Sequence, residues 1–318
     1  MILQRRTAST GKSLRYKYKL LLFALPFLLL VLVFAYAPLL GWILAFFNYR
    51  PGFRLKPEDF VGFKWFISIA GNATQRGEIL RVMRNTVVMS SLGILTSVIP
   101  VAFAIFLAEI RTRSYKKAVQ VLTTLPNFIS WVLVYAFAFA IFSYDSGFLN
   151  SLMVKTGLIT MEQRVNILAD PSTNGMIWLQ MTLWGLWKGM GWSAIIYLAA
   201  ITGIEQEQYE AAKVDGAGRF KTMLHITLPG IAETFFVLLL LSIANFINNG
   251  MDQYFVFQNA MNKSYLEVLD LYVYNTSLVG SGNFPYAIAI SMLKSLVSVS
   301  LLFFANRLSK LVRGQTII

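Results

Sequence analysis

The chain has no cysteine and one histidine, His225. Disulfides, thiolate catalysis and cysteine-ligated metals are excluded. Charge is also scarce: charged residues make up 14% of 318 positions, while 56% are apolar and the mean hydropathy is +0.59. A soluble globule does not have that composition. Acids are the rarer sign, 15 Asp and Glu against 28 Lys and Arg, for a formal net charge of +13. The basic residues flank long apolar runs, where the positive-inside rule accounts for them, so the excess points to a bilayer and not to nucleic acid. No phosphate loop is present either. Gly11-Lys12-Ser13 has Arg6 where the required glycine would stand, and no strand precedes it.

What is there is hydrophobic length. The first run, Leu20 to Phe47, spans a bilayer with tilt. Its Ala35-Tyr36-Ala37 has the form of a signal-peptidase site. However, Pro38 follows at once and the run continues, so an uncleaved helix is expected. Five more spans are expected at Val87–Ile110, Ala118–Phe142, Met176–Ile204, Thr234–Ile247 with extensions, and Tyr286–Phe304. Pro100 and Pro126 fall inside spans, which points to a packed bundle of kinked helices.

With six spans the termini share one side, whose short segments carry 16 Lys and Arg against 10 opposite, so both termini are expected in the cytoplasm. The expected organisation is a basic cytoplasmic tail (1–19), a first helix and outer loop (20–84), a core (85–307) and a cytoplasmic C-terminal tail (308–318). In the outer loops, Phe60–Ile67 reads as an amphipathic interfacial segment, and Asp170-Pro171 and Gly280–Pro285 as turns.

The cytoplasmic loop 205–231 carries the most specific pattern, EAAKVDGAGRFKTMLHITLP from Glu210 to Pro229. Ala211 and Ala212 form helix readily and let a partner surface approach the backbone. Asp215-Gly216 is a helix stop, because glycine takes the left-handed backbone that a sharp exit needs. Phe220, Met223 and Leu224 give a second short helix an apolar side, and Pro229 is expected to end it. Glu-Ala-Ala, Gly216, Ile226 and Leu228-Pro229 match in spacing the EAA loop, and the chain resembles the transmembrane subunits of ABC importers. The similarity extends over most of the chain. It looks like the carbohydrate-uptake branch, particularly the polysaccharide and aldouronate subfamily, through Tyr36-Ala-Pro38, Phe47–Gly52, Val61–Lys64, Arg84-Asn-Thr86, Pro126–Trp131, Asp252-Gln253, Tyr272–Tyr274, Gly282–Phe284 and Lys294-Ser295. An alginate importer subunit fits this pattern. Glu233 departs from it, since a second proline usually follows Leu-Pro by four residues. A less kinked fifth span is expected as a result.

The resemblance implies an all-α membrane protein: six transmembrane helices with a cytoplasmic two-helix coupling loop between helices 4 and 5. It implies a homologous second permease, two ATP-binding cassette subunits and an extracytoplasmic solute-binding protein in a bacterial cytoplasmic membrane. ATP and Mg would be bound by the partner ATPases, with no cofactor or metal on this chain. By resemblance the mechanism is ATP-driven alternating access. Glu210, Ala211, Ala212, Asp215, Gly216, Phe220, Ile226, Leu228 and Pro229 would form the coupling contact, with Glu210 pairing to a basic ATPase residue.

Two faces are candidates for the substrate path. Gln180, Trp184 and Lys188 recur every four residues on one face of the fourth span, an aromatic, polar and cationic set suited to an acidic sugar. Packing and a snorkelling lysine explain the same residues. Asn245, Asn248 and Asn249 present amides to one side of the fifth span, and interhelical hydrogen bonds are their other reading. Lys294 is a weaker candidate. His225 reads as a solvated or interface residue. A glycerol-phosphate, amino-acid or peptide cargo keeps the same architecture. An intramembrane polysaccharide-processing enzyme would need gathered acids or histidines, which the spans lack.

Overall fold

A computed structural model describes residues 10–168, 176–279 and 282–313. Asp170-Pro171, Gly280, Ser281, Arg5, Arg6 and the last C-terminal residues lie outside the described residues. Helix α1 (Thr10–Val31) runs on through a wide π turn, Leu32–Tyr36, into a tight 3-10 stretch, Ala37–Phe46. Pro38, with no N–H to give, sits at the start of the tight stretch. Phe46 and Phe47 then pair across a short bridge with the Phe60 region, Asn48 N–H donating to Asp59 O at 2.7 Å and Val61 N–H to Phe46 O at 2.9 Å. The interfacial segment is helix α2 (Lys64–Gly71), anchored by Trp65 Nε1–H on Phe47 O at 3.1 Å.

Asn72 caps α3 (Ala73–Thr96), accepting from the N–H groups of Thr74 and Gln75. Helix α4 (Val98–Ala108) continues α3 past a break at Ser97, just ahead of Pro100. Helix α5 (Arg113–Thr124) runs on through a tight turn, Leu125–Phe128, that contains Pro126, and meets α6 (Trp131–Phe142) at a 102° bend where Ile129 and Ser130 are extended. After α7 (Phe148–Lys155) comes α8 (Met176–Thr202), whose 27 residues extend about 40 Å. Two short pieces follow, α9 (Gln206–Val214) and α10 (Arg219–Thr222), then α11 (Leu228–Ala244). Three short helices, α12 (Asp252–Phe257), α13 (Lys263–Leu266) and α14 (Leu269–Tyr274), precede α15 (Phe284–Arg313).

Among the described residues, four helical stretches are long and apolar enough to cross a membrane: Tyr18–Phe46, Ala73–Ala108, Arg219–Ala244 and Phe284–Leu311. The bent α5–α6 pair makes a fifth when counted as one span. Helix α8 has the length, but its glycines, Gln180 and Lys188 make it less apolar.

The centre of the fold is α8. Helix α4 packs along one side of it and α5 along another. At the α5 crossing a Cβ on Gly191 would lie 2.2 Å from Thr123 O, so no larger residue permits that approach. One core cluster joins Met89, Val134, Met181, Phe257 and Leu271, and another joins Val101, Ala104, Ala194, Tyr197 and Ile231. Helix α15 lies against α11. By contrast, every residue from Tyr18 to Leu40 is exposed, so that stretch of the first span finds no cover within its own chain, while the end of the span packs on α15.

Pro229 does not end the second short helix, contrary to the sequence expectation. Arg219–Ala244 is one continuous helix that passes through a π turn, Met223–Thr227, with Leu228 N–H donating to Met223 O. Widening that turn accommodates the proline ring and its missing donor without stopping the helix.

Candidate functional site

Two regions concentrate the candidate residues. The first is the α9–α10 elbow. Helix α9 closes in a Schellman arrangement: Ala217 N–H donates to Ala212 O at 2.8 Å and Gly216 N–H to Lys213 O at 3.1 Å. Gly216 has φ +72°, the left-handed value a side chain would oppose. Tyr209 Oη and Thr227 Oγ1 lie 3.1 Å apart and tie the two arms together. The elbow then presents Glu210, Ala211, Asp215 and Gly216 outward, while Ala212 and Ile226 are half-buried. Val214 is 89% exposed and Phe220 72%, both large apolar side chains left mostly uncovered by this chain. Leu228 and Pro229 are exposed too, and line an apolar groove of about 470 Å³ between α4 and the start of α11.

The second region is an open cavity of about 600 Å³ walled by α3, α8 and α11. Asn245, Asn248 and Asn249 all line it, together with Ser90, Ser242 and Gln253. Helix α11 stops at Ala244, so the three asparagines occupy the turn that follows it. Asn249 Nδ2–H donates to Ser90 Oγ at 2.9 Å, and Ser90 in turn donates to the carbonyl of Phe246. Asn249 Oδ1 is buried, and the Asn249 side chain also lies against the Tyr254 phenol. Gln253 is held by donation to Met181 O at 2.7 Å. Burial raises the Tyr254 phenol above its ordinary pKa, and the charge of Asp270 adds to the rise.

The face of Gln180, Trp184 and Lys188 turns elsewhere. Lys188 Nζ donates to three backbone carbonyls at the α5–α6 break: Pro126 at 3.2 Å, Asn127 at 2.7 Å and Ile129 at 2.6 Å. It also stands 5.5 Å from the Trp131 ring centroid. Gln180 Nε2–H donates to Ile167 O at 2.7 Å. Trp184 packs edge-on against Phe137, Phe142 and Trp187. None of the three lines the cavity. The cavity face of α8 lies about 100° round the helix, where Gly185, Gly189 and Ser193 repeat every four residues and leave room. That small-residue stripe, with Ser90 and Gln253, was open to sequence inspection. Polar side chains draw notice before the glycines that make space for a ligand.

Residues 100–314 match the family described as binding-protein-dependent transport system inner membrane components. The chain is 36% identical to protein LplB of Bacillus subtilis (strain 168) over 92% of its own length and 88% of that protein. It is also 36% identical to the polygalacturonan/rhamnogalacturonan transport system permease protein YteP of the same organism, over 96% and 92% of the two chains. A solved bacterial alginate ABC transporter, in complex with its alginate pentasaccharide-bound periplasmic protein, contains a chain of similar fold. The TM-score is 0.83 at 27% identity, covering 98% of this chain and 100% of that one.

Proposed function

The chain belongs to the family of binding-protein-dependent transport system inner membrane components, and from that premise we propose how it works. It is the membrane permease of an ABC importer for sugars or polysaccharides, a transporter subunit and not an enzyme. The cargo we propose is an acidic, uronate-type oligosaccharide. The observation that carries this is 36% identity over nearly the whole length to a permease named for polygalacturonan and rhamnogalacturonan. The likeness in fold to the alginate transporter supports it. A glycerol-phosphate, amino-acid or peptide cargo has no such support.

The architecture proposed is six spans, adding the bent α5–α6 pair and α8 to the four long apolar helices, with both termini in the cytoplasm. The 205–231 loop couples to an ATPase. Its supports are the outward Glu210, the bend at Gly216 and the uncovered Val214 and Phe220. Glu210 pairs with a basic ATPase residue, and the apolar pair seats in the ATPase surface. The elbow must stay attached in both states, because a contact that detaches biases neither conformation. ATP and Mg sit on two cassette subunits. A second permease completes the path and covers the exposed first span together with lipid, and a solute-binding protein delivers the sugar. In the path, Asn245, Asn248 and Asn249 line the cavity and offer amide groups to sugar hydroxyls.

Purification from native membranes in mild detergent, with mass spectrometry of the co-purifying subunits, tests this reading. An ATPase and a second permease are expected. The associated binding protein, titrated with acidic and neutral oligosaccharides, should prefer the acidic ones. Recovery without any ATPase, unaffected by Gly216→Asp, sinks the importer assignment.

A further inference from the structure

Among the described residues, cations that contact buried or half-buried protein groups include Lys188 at the α5–α6 break, Arg81 on Glu267, and Lys294 on Asp270. The third lies beside the cavity wall. Lys294, on α15, donates to Asp270 Oδ1, and the two side chains are 16% and 21% exposed. The other carboxylate oxygen, Oδ2, accepts the N–H of Gly250 at 2.9 Å. Gly250 is the residue directly after Asn249. One turn further along α15, Ser298 Oγ accepts from Asn248 Nδ2–H at 3.3 Å. On the opposite flank Asn249 holds Ser90 of α3. The asparagine turn is therefore gripped from two helices, and Asp270 accepts from a charged ammonium at one carboxylate oxygen and from a backbone N–H at the other.

Lys294 lies on a membrane-spanning helix, where a charge is costly, and its pair with Asp270 stabilises little compared with apolar residues of the same volume. Stability alone therefore does not account for the pair. Resting on the permease reading, we propose that Asp270, held by Lys294, is a positioning residue that fixes the turn bearing Asn245, Asn248 and Asn249 in the substrate path. Lys294 neutralises and orients the carboxylate. Asp270 pins the Gly250 N–H, and the pinned turn keeps its amides converged on the cavity. Neither side chain needs to touch the sugar.

The role separates from simple charge pairing because an amide still accepts a hydrogen bond and an alkyl group does not. Asp270→Asn/Lys294→Met removes both charges and keeps an acceptor for Gly250. Asp270→Leu/Lys294→Met removes both charges and the acceptor. Native complexes carrying each double variant are reconstituted in vesicles, and uptake of a labelled oligogalacturonate is followed. The leucine variant should raise the half-saturation concentration about tenfold, the loss of roughly one hydrogen bond to a charged group, with the maximum rate little changed. The asparagine variant should raise it about threefold or less. The chain has no cysteine, so a single spin label at Asn245→Cys reports the turn directly and does not depend on the cargo. Its spectrum should be ordered in the otherwise native chain and mobile with the leucine pair. If the leucine variant does not assemble, Ser298→Ala releases Asn248 without touching a charge and should loosen the same label. An unchanged label in the leucine variant, or in Ser298→Ala where that stands in, overturns the proposal. Equal half-saturation in the two double variants does the same. Failure of the unaltered complex to take up any sugar would instead overturn the cargo assignment and leave the label result standing.

Discussion

Replacing Lys188 by methionine separates two readings of the same side chain. The stem is nearly isosteric, so the packing against Trp131 survives and only the ammonium is lost. Three carbonyls, at Pro126, Asn127 and Ile129, then lose their donor at the break where the chain turns through 102°. A hydrogen bond to a charged group contributes about 1.5–3 kcal/mol. Lys188 is only half-buried, so water can reach part of the vacated site and the low end of that range applies. Three bonds at that low end amount to about 4.5 kcal/mol, and re-solvation of the freed carbonyls brings the net loss to about 3 kcal/mol, roughly a hundredfold in the folded-to-unfolded ratio. Lys188→Arg should recover only part of it, because a planar fork does not converge on three carbonyls as an ammonium does. Thermal unfolding of the detergent-purified complex measures the loss, and uptake of acidic and neutral sugars measures function. Lower stability, with both sugars affected alike, is expected. Unchanged stability with selective loss of the acidic sugar would refute the argument, and would make Lys188 a carboxylate ligand.

Gly191→Ala should destabilise the permease by about 1–3 kcal/mol through overpacking, because its new Cβ collides with Thr123 O; Thr123→Ala should not rescue it, since the obstacle is backbone. Gly216→Val should cost about 1–2 kcal/mol at the left-handed position and weaken ATPase recovery in pull-downs, while Gly216→Asn should be milder. Glu267 is 1% exposed and accepts from Arg81 at 2.7 Å and Asn275 at 2.8 Å. Glu267→Leu should therefore destabilise by about 3–5 kcal/mol, leaving Arg81 unpaired, whereas Arg81→Met in the same background should restore part of the loss, as read by thermal unfolding.

Local chemistry in this chain was readable where it depends on neighbours in sequence. The helix stop at Asp215-Gly216 needs only a residue without a Cβ, and the closing bonds to Ala212 and Lys213 come from the same helix. The break just ahead of Pro100 follows from a missing donor in the same way. Pro229 shows the limit. A proline was expected to stop the helix, yet a wider preceding turn absorbs it and the helix runs on to Ala244.

By itself the sequence determined that the chain is an apolar bundle for a bilayer, that it bends near Pro100 and Pro126, and that one polar loop carries an elbow. Composition, proline and glycine act locally, so no partner had to be known. Which face of α8 meets the cavity was decided only in three dimensions. Gln180, Trp184 and Lys188 share a helical face by period alone, but that face serves whichever neighbour packs on it. The 102° turn brings bare carbonyls to Lys188 and leaves the glycine stripe open to the cavity. The pairing of Asp270 with Lys294, 24 residues apart, likewise exists only once α14 and α15 are side by side. Packing sets such contacts, because a charge finds its counter-charge through space and not along the chain.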